Sequence, residues 1–361
     1  MKRIFVIGLL LLCVFAFADD AKVMPMMVGR LYVAPTYSFA TGTYDTDGDF
    51  TSFDSGSVKV FNLGFALEYG VLNWLTAAVQ WVPGWTPWSD VKAASGVSNT
   101  NANGVADLFA GLKIQLAGEK APLRTGNFRF ALAPGVIIPL PGPDFEKELT
   151  NAMTGSKATL SSMDNHVFGA GGRFYFDVLF NKHFFLNLYN ETIIYPSKLD
   201  LNKNSPVFYG AKAQIAGAMQ ETLGPGAAYI MDINGKINYN YRLTFELEPV
   251  FTTPIASGID LSVGLPINYR FIPAYSYSFD YPAAIAPYSE AIEPYLKGAL
   301  DTDAHHTLSL IPNASIFIMK SFIPLEFKFQ YAIPVYGRNT MARHNATLQI
   351  RAYFALPGRP E

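Results

Sequence analysis

The most constraining feature of this sequence is a strict alternation of apolar with polar or small residues, which predicts β-strands. Residues 61–69, 237–247 and 346–354 each place an apolar side chain at every second position. Strands of soluble proteins average about five to six residues, whereas a tilted strand that crosses a bilayer needs about nine to eleven. Because these runs have the greater length, they predict membrane-spanning strands.

Such strands can cross a bilayer only as a closed barrel, because hydrocarbon offers no partner to an unpaired backbone N–H or C=O group. The composition fits a surface that faces lipid, since 50% of the residues are hydrophobic and only 16% are charged. The alternative is a large periplasmic β-sandwich, whose water-facing sides would need more charge. We predict an all-β fold, a transmembrane antiparallel up-and-down β-barrel of about fourteen strands, with twelve as the alternative.

Strands are predicted where the alternation persists between turn-forming residues. They cover 28–41, 56–69, 74–82, 104–116, 127–140, 165–178, 183–195, 206–219, 236–249, 259–271, 288–298, 306–319, 322–335 and 343–354. An even strand number places both chain ends on the periplasmic side, with the longer connections at the opposite end. The strand at 288–298 is the weakest of these predictions, since prolines interrupt residues 272–298.

Some prolines fall inside the predicted strands. They are Pro134, Pro139, Pro249, Pro266, Pro312 and Pro324. Proline has no backbone N–H to give to a ladder, and a closed barrel has no free edge that could hold it. We therefore expect these residues at bulges or near strand ends.

The N-terminus predicts export. Residues 1–18 combine a basic start, an apolar stretch and a small-residue cleavage site ending at Ala18, as in a secretory signal peptide. The predicted organisation is a signal peptide over 1–18 and a single outer-membrane barrel domain over 19–361, in a Gram-negative-type or other diderm envelope. The only cysteine, Cys13, lies in the signal, so the mature chain predicts neither disulfides nor thiol chemistry.

Strand parity predicts which charged side chains point into the lumen. The acids are Glu68, Asp107, Asp177, Glu191, Glu246, Glu248 and Glu326, and the bases are Lys113, Arg129, Arg173, Lys212, Arg242, Arg270, Lys328 and Arg351. The two signs are nearly balanced, whereas a strongly selective ion pore carries rings of one sign. The lumen is therefore either a weakly selective aqueous channel or partly closed by ion pairs.

Aromatic residues at both ends of one hairpin predict membrane-interface girdles. They are Tyr69 and Trp74 beside the short turn, and Trp81, Trp85 and Trp88 at the opposite end. The partners expected for such a barrel are outer-membrane lipid, the outer-membrane assembly machinery and a small-molecule solute.

The long connection 141–164 predicts a short amphipathic helix. Phe145, Leu149 and Met153 recur at four-residue spacing, which places them on one helical face. Such a helix either packs on the barrel rim or offers an apolar landing site to a ligand near the mouth.

Catalytic and metal-binding patterns are weak. None of the five histidines lies in a metal-ligand motif, and no serine motif accompanies His344 and Asn345, which only faintly suggest an outer-membrane lipase. We predict no enzyme activity, no cofactor and no metal site. A net charge of −2 also gives no reason to expect a nucleic-acid partner.

The first half of the chain resembles a known family. A short-turn hairpin over 64–83 is followed by a strand with Gly104, Asp107, Gly111 and Lys113, and then by a strand that ends in a proline, Pro139. This order is similar to outer-membrane transporters of the MetA-pathway-of-phenol-degradation type, although Leu140 and Pro141 replace the Thr-Gly that follows the proline in that family.

The resemblance implies the wider group of FadL-like fatty-acid and hydrocarbon transporters, which are fourteen-stranded barrels. Those barrels carry an N-terminal hatch, for which the early start of our first predicted strand leaves no room. The function expected is an outer-membrane channel or transporter for passive uptake of small hydrophobic or amphipathic solutes. The alternative is a structural or surface-exposed barrel with a closed lumen, whose loops bind partners as in an adhesin.

Overall fold

The computed structural model describes residues 20–53, 57–91, 104–141, 147–148, 150–151, 154 and 166–355. Most of these residues form one antiparallel sheet that closes on itself, because the first strand, β1 (Val28–Tyr44), pairs along its length with the last strand, β20 (Thr340–Ala355). The protein is therefore an all-β closed barrel, as the alternation predicts.

The barrel wall has twelve strand positions. Nine are single strands: β1, β3 (Val58–Leu72), β4 (Leu75–Val91), β8 (Phe128–Ile138), β9 (Gly169–Leu179), β10 (Phe184–Ile194), β13 (Tyr241–Ala256), β19 (Leu325–Arg338) and β20. Three are split: β5 (Gly104–Val105) with β6 (Leu108–Gly118), β14 (Ile259–Gly264) with β15 (Ile267–Ile272), and β17 (His305–Leu310) with β18 (Asn313–Ile318). The short β2 (Phe50–Ser52) and β7 (Leu123–Arg124) add to β1 and β6.

The wall reverses the burial pattern of a soluble protein. Outward apolar side chains stay accessible, with Leu112 at 44%, Leu188 at 42% and Phe329 at 51% exposure, while inward polar side chains such as Asn187 and Gln349 are buried. An apolar outer face around a polar interior is the arrangement that a hydrocarbon solvent requires.

Proline explains two of the split strands. Pro266 separates β14 from β15, and Pro312 separates β17 from β18. Pro139 follows β8 and Pro324 precedes β19, as expected, whereas Pro134 and Pro249 lie within β8 and β13. The carbonyl groups of three of these prolines still accept hydrogen bonds from a neighbouring strand position. The N–H of Leu265 donates to Pro249, that of Ile311 to Pro266 and that of Tyr331 to Pro312.

Two insertions form a small folded cap at the barrel end opposite the chain ends, which we call the mouth. The cap comprises residues 195–240 and 273–304. It holds a three-stranded sheet of β11 (Leu199–Asp200), β12 (Asn234–Asn238) and β16 (Ser276–Asp280). Its helices are α1 (Pro206–Ala218), α2 (Gln220–Leu223) and α3 (Ser289–Gly298), with 3-10 turns at Leu201–Lys203, Gly224–Asp232 and Ala286–Tyr288.

Two predicted strands, 206–219 and 288–298, are wrong, because these segments form α1 and α3. The Ser205 hydroxyl caps α1 by accepting from the N–H of Phe208, and Pro206 occupies the first turn, where its missing N–H costs nothing. Removing both strands reduces fourteen to twelve. The predicted strand at 236–249 is also divided, since Asn240 turns the chain with a positive φ of 58° between β12 and β13.

The cap has an apolar core of its own. Phe208 and Ile215 of α1 pack with Ile292 and Leu296 of α3 and with Ile230, and all five side chains are buried. Among the described residues, no helix combines the length and the apolar character needed to cross a membrane.

Lys212 is buried within the cap, where it joins α1 to the turn that precedes β12. Its ammonium donates to the carbonyl oxygens of Met231 at 2.8 Å and Ile233 at 3.2 Å. Burial lowers the pKa of Lys212 below its ordinary value. The prediction that Lys212 faces the lumen from a strand is therefore wrong, because its segment is helical and its charge serves the cap.

We expect Lys212→Met to loosen the cap and to spare the barrel. The substitution leaves two buried carbonyls without their donor, a cost of about 1–3 kcal/mol. Chymotrypsin should then cut residues 195–240 faster than in the parent protein, while heat-dependent gel mobility of the barrel stays unchanged. Lys203→Met, at an exposed position of the same insertion, is the matched control and should cut at the parent rate.

Candidate functional site

The lumen contains the segment that precedes the first strand. Residues 20–27 run inside the barrel, with Asp20, Ala21 and Met24 buried. The Ala21 N–H donates to both carboxylate oxygens of Asp177, at 3.2 and 3.1 Å. The expectation that no N-terminal plug fits was wrong, because the segment enters the lumen directly and needs no fold of its own.

Charged groups on three wall strands hold this segment. Arg129 forms ion pairs with Asp177 at 2.7 Å and with Asp20 at 3.3 Å. The Lys113 ammonium donates to the Asp20 carbonyl oxygen, and the Gln115 amide donates to that of Ala21 at 3.0 Å. The N-terminal segment is thus bound by the charge that strand parity directs inward.

Gly70 permits the segment to enter. The Met27 N–H donates to the Gly70 carbonyl at 2.8 Å, and the Met24 N–H donates to the Thr76 hydroxyl at 2.8 Å. A Cβ atom on Gly70 would lie 2.0 Å from the carbonyl oxygen of Pro25. Any side chain at this position would therefore displace the N-terminal segment.

A chain of ion pairs and hydrogen bonds crosses the lumen. Arg30 pairs with Glu68 at 2.6 Å, and Glu68 accepts from Gln80 at 3.2 Å. Arg173 donates to Gln80 at 2.6 Å and pairs with Glu191 at 2.7 Å. Among the described residues, opposite charges thus satisfy one another instead of forming a ring of one sign.

The chain ends on β13, where Arg242 also pairs with Glu191, at 3.1 Å. The Tyr189 hydroxyl donates to the same carboxylate at 3.2 Å. Glu191 therefore gathers two guanidinium groups and a phenol. Of the two lumen states that the sequence leaves open, these contacts support partial closure by ion pairs.

A second charged cluster lies close to the chain ends. Glu326 and Arg351 are fully buried, 3.4 Å apart, and Glu326 also accepts from the Tyr353 hydroxyl at 2.6 Å. Tyr353 and Phe317 pack around Met24 of the N-terminal segment. This cluster therefore supports the N-terminal segment from the side of the chain ends.

A cavity of about 240 Å³ remains in the lumen on the side away from residues 20–24. Its lining is polar and aromatic: Tyr32, Gln80, Arg173, Tyr175, Tyr189, Glu246, Glu248, Pro266, Ile311, Asn313, Lys328, Gln330 and Gln349. A smaller cavity of about 50 Å³ lies against the N-terminal segment, between Lys22 and Gln80 among others. Of these two cavities, the larger one therefore offers more room for a polar solute.

The mouth differs from the middle of the lumen because it is apolar. Phe109, Ile137, Ile193 and Tyr195 form a buried cluster beneath the cap, joined by Val167. Cap residue Tyr239 packs on this cluster with its ring 6.1 Å from that of Tyr195. This cluster therefore packs the barrel beneath the cap, apart from the polar middle of the lumen.

The structure places the other predicted lumen residues on the barrel, apart from Lys212 in the cap. Asp107 lies near the mouth, where it accepts from the Leu140 N–H at 3.2 Å. Arg270 lies on β15 and is exposed, although many protein atoms surround it, which fits a side chain in an open part of the lumen.

Sequence reasoning missed several lumen residues. They are Asp20, Arg30, Gln80, Tyr189, Asn313 and Gln349. Arg30 could have been found, because it alternates with outward Leu31 in β1. The amides and Tyr189 were missed because the parity count considered charged groups alone, and Asp20 because it precedes every strand.

The remaining predicted sites are less informative. Tyr69 and Trp74 lie near one end of the barrel and Trp85 and Trp88 near the other, with Trp81 donating its indole N–H to the Ala106 carbonyl. Their role as interface girdles stays a prediction. Phe145, Leu149 and Met153 lie outside the described residues.

No catalytic or metal-binding geometry appears around the histidines that are described. His344 stacks on Phe39 with ring centroids 4.9 Å apart, and its Nδ1 lies 3.2 Å from the Tyr331 hydroxyl. In the described ranges, no three His, Cys, Asp or Glu side chains are grouped so that they could hold a metal ion.

Comparison with solved structures decides the class of barrel. The COG4313 outer membrane channel from Pseudomonas putida F1 is similar over 94% of this chain and 100% of its own, with a TM-score of 0.60 and 12% identity. This protein has the fold of an outer-membrane β-barrel. No protein-family model matches the chain, and no curated protein matches its sequence.

Two further solved barrels have lower structural similarity to this protein. A FadL homologue from Pseudomonas aeruginosa covers 92% of this chain and 91% of its own, with a TM-score of 0.36 and 9% identity. The toluene transporter TbuX from Ralstonia pickettii covers 90% of each chain, with a TM-score of 0.36 and 8% identity. At these scores, neither barrel bears on the function.

We expect Glu326→Gln to destabilise the barrel by about 3 kcal/mol, because it removes the carboxylate that neutralises the fully buried Arg351. The measurement is the urea midpoint of the purified protein, followed by loss of the fast-migrating folded band on gels. Glu290→Gln, at an exposed site in α3, is the control. Equal midpoints for both variants would mean that the buried pair contributes nothing.

Proposed function

We propose that this protein is a passive outer-membrane channel for small amphipathic solutes, with an N-terminal segment that narrows its lumen. The observation that carries this proposal is the polar interior of a closed barrel, which leaves a cavity of about 240 Å³ in the lumen. A purely structural barrel has no need of a polar cavity in its centre.

The nature of the lining favours amphipathic solutes over hydrocarbons. The cavity is lined by tyrosines, which offer apolar contact, together with amides and charged groups. A hydrocarbon would displace water from polar groups without replacing the lost hydrogen bonds, which costs free energy. A solute with a polar end replaces them.

The sequence resemblance to transporters of the MetA-pathway-of-phenol-degradation type supports the same class of solute. Gly104, Asp107, Gly111 and Lys113 match that pattern. Lys113 binds the Asp20 carbonyl of the N-terminal segment, and Asp107 lies at the mouth. We propose membership of the wider FadL-like group on this basis.

We expect deletion of residues 20–26 from the mature chain to raise the single-channel conductance in planar bilayers several-fold, because the segment fills part of the lumen. Gly70→Val should raise conductance as well, since its side chain would collide with Pro25. Gly126→Val is the matched control, because a Cβ on Gly126 meets no atom within 4 Å. A deletion variant that folds and conducts no ions would overturn the channel proposal.

Solute preference is tested separately, by swelling of proteoliposomes. We expect 4-hydroxybenzoate to enter faster than threonate, because both are monoanions of similar mass and only the first is amphipathic. Liposomes that contain unfolded protein provide the background rate. Faster entry of threonate would contradict the amphipathic preference and leave the channel itself intact.

The second candidate, a closed barrel whose surface binds partners, draws on the cap. Tyr295 is 69% and Val207 57% exposed at the mouth end. This candidate predicts that the deletion variant neither conducts nor swells liposomes, so the same experiments separate the two functions.

A further inference from the structure

Lys328 is a lumen cation that takes no part in the ion-pair chain. Lys328 of β19 is buried to 95% and lines the 240 Å³ cavity. Among the described residues no hydrogen bond or ion pair reaches it, although its strand neighbours are Ser315 and Gln349. Lysine is almost never fully buried without a partner, so an unpartnered ammonium at a cavity indicates a site for an anionic group.

The same cavity also carries two carboxylates, Glu246 and Glu248 of β13. Asn268 donates to Glu246 at 2.7 Å, and Asn313 donates to Glu248 at 2.8 Å. An ionised carboxylate accepts about four hydrogen bonds, so one neutral amide leaves most of the capacity of Glu248 unused. These groups favour a cation.

Charge balance then decides between classes of ligand. The remaining cation of the lining, Arg173, is already engaged by Glu191 and Gln80. A simple anion would bind Lys328 but face repulsion from the two carboxylates. A simple amine would bind the carboxylates but face repulsion from Lys328. Only a molecule with both charges satisfies both parts of the lining.

The size and shape of the cavity limit that molecule. A volume of about 240 Å³ corresponds to about eight water molecules at about 30 Å³ each, which suits a solute of amino-acid size. Tyr32 and Tyr189 give apolar contact, and Gln330 and Gln349 offer further hydrogen bonds. The cavity is too small for an oligosaccharide.

We propose that this cavity is a binding site for a small zwitterionic solute, whose carboxylate binds Lys328 and whose ammonium binds Glu248 and Glu246. The inference rests on the proposed channel function and names the class of solute that pauses in the lumen. Each charge of the solute then faces an opposite charge of the lining, and Glu246 keeps its hydrogen bond from Asn268.

The test is titration calorimetry of the full mature protein in detergent at neutral pH. The probes are glycine, β-alanine and γ-aminobutyrate, which differ in the spacing of their charges, with butyrate and butylamine as single-charge comparisons. We expect at least one zwitterion to bind at least tenfold more tightly than either comparison. Lack of binding by all three zwitterions, or equal binding of butyrate, overturns the proposal.

Variants assign the two charges. Lys328→Met and Glu248→Gln should each weaken binding of the best zwitterion at least tenfold, while Lys182→Met, at an exposed turn far from the cavity, leaves it unchanged. Heat-dependent gel mobility verifies that each variant is folded. Parent-like affinity in folded Lys328→Met would overturn the proposal, since the carboxylate would then bind elsewhere.

The conductance experiments keep the two proposals apart. If the deletion variant conducts and no zwitterion binds, the site is wrong and the channel stands. If zwitterions bind with the expected variant pattern and no variant conducts, the site stands and the channel proposal fails.

Discussion

Backbone pairing in a solvent without hydrogen-bonding partners is the constraint on which the rest of this structure depends. In hydrocarbon, every wall strand must find a neighbour on both sides, and the pairing of β1 with β20 satisfies the last free edges. Closure then fixes the two faces of every strand. The outer face is apolar because lipid surrounds it, and the inner face receives the polar half of each alternating run.

Concentrating polar groups inside a cylinder creates a second problem, which ion pairing solves. Arg30, Glu68, Arg173 and Glu191 neutralise one another through direct contacts and Gln80. The N-terminal segment completes this arrangement, because Asp20 adds an acid beside Arg129 and the backbone of Ala21 serves Asp177. The N-terminal segment thus takes part in the ion pairs and hydrogen bonds of the lumen, which explains how so short a segment is held without an apolar core of its own.

Where the network is incomplete, it leaves room for a solute. The cavity on the opposite side of the lumen contains Lys328 apart from any ion pair, facing a lining with two carboxylates and several amides. The mouth above it is apolar and covered by a cap with an independent core. A lining that combines tyrosine rings with charged groups is a physical basis for selecting solutes with both properties.

Much of the wall could be predicted from the sequence, since period-two alternation needs only local information. It predicted the barrel and the inward direction of residues such as Glu68, Asp177 and Glu326. It failed at 206–219 and 288–298, where apolar residues suit either period. In the first of these segments, the N-cap residue Ser205 followed by Pro206, and the spacing of Phe208, Ala211 and Ile215, were the better evidence for a helix.

The sequence by itself determined that most of this chain forms long strands with one apolar and one polar face, because side-chain periodicity is a local property. Only the tertiary structure decided which inward charges pair, that residues 20–27 enter the lumen, and that Lys328 is left beside a cavity. The physical reason is that these outcomes depend on distances across the barrel, between strands far apart in the chain, and no local pattern encodes them.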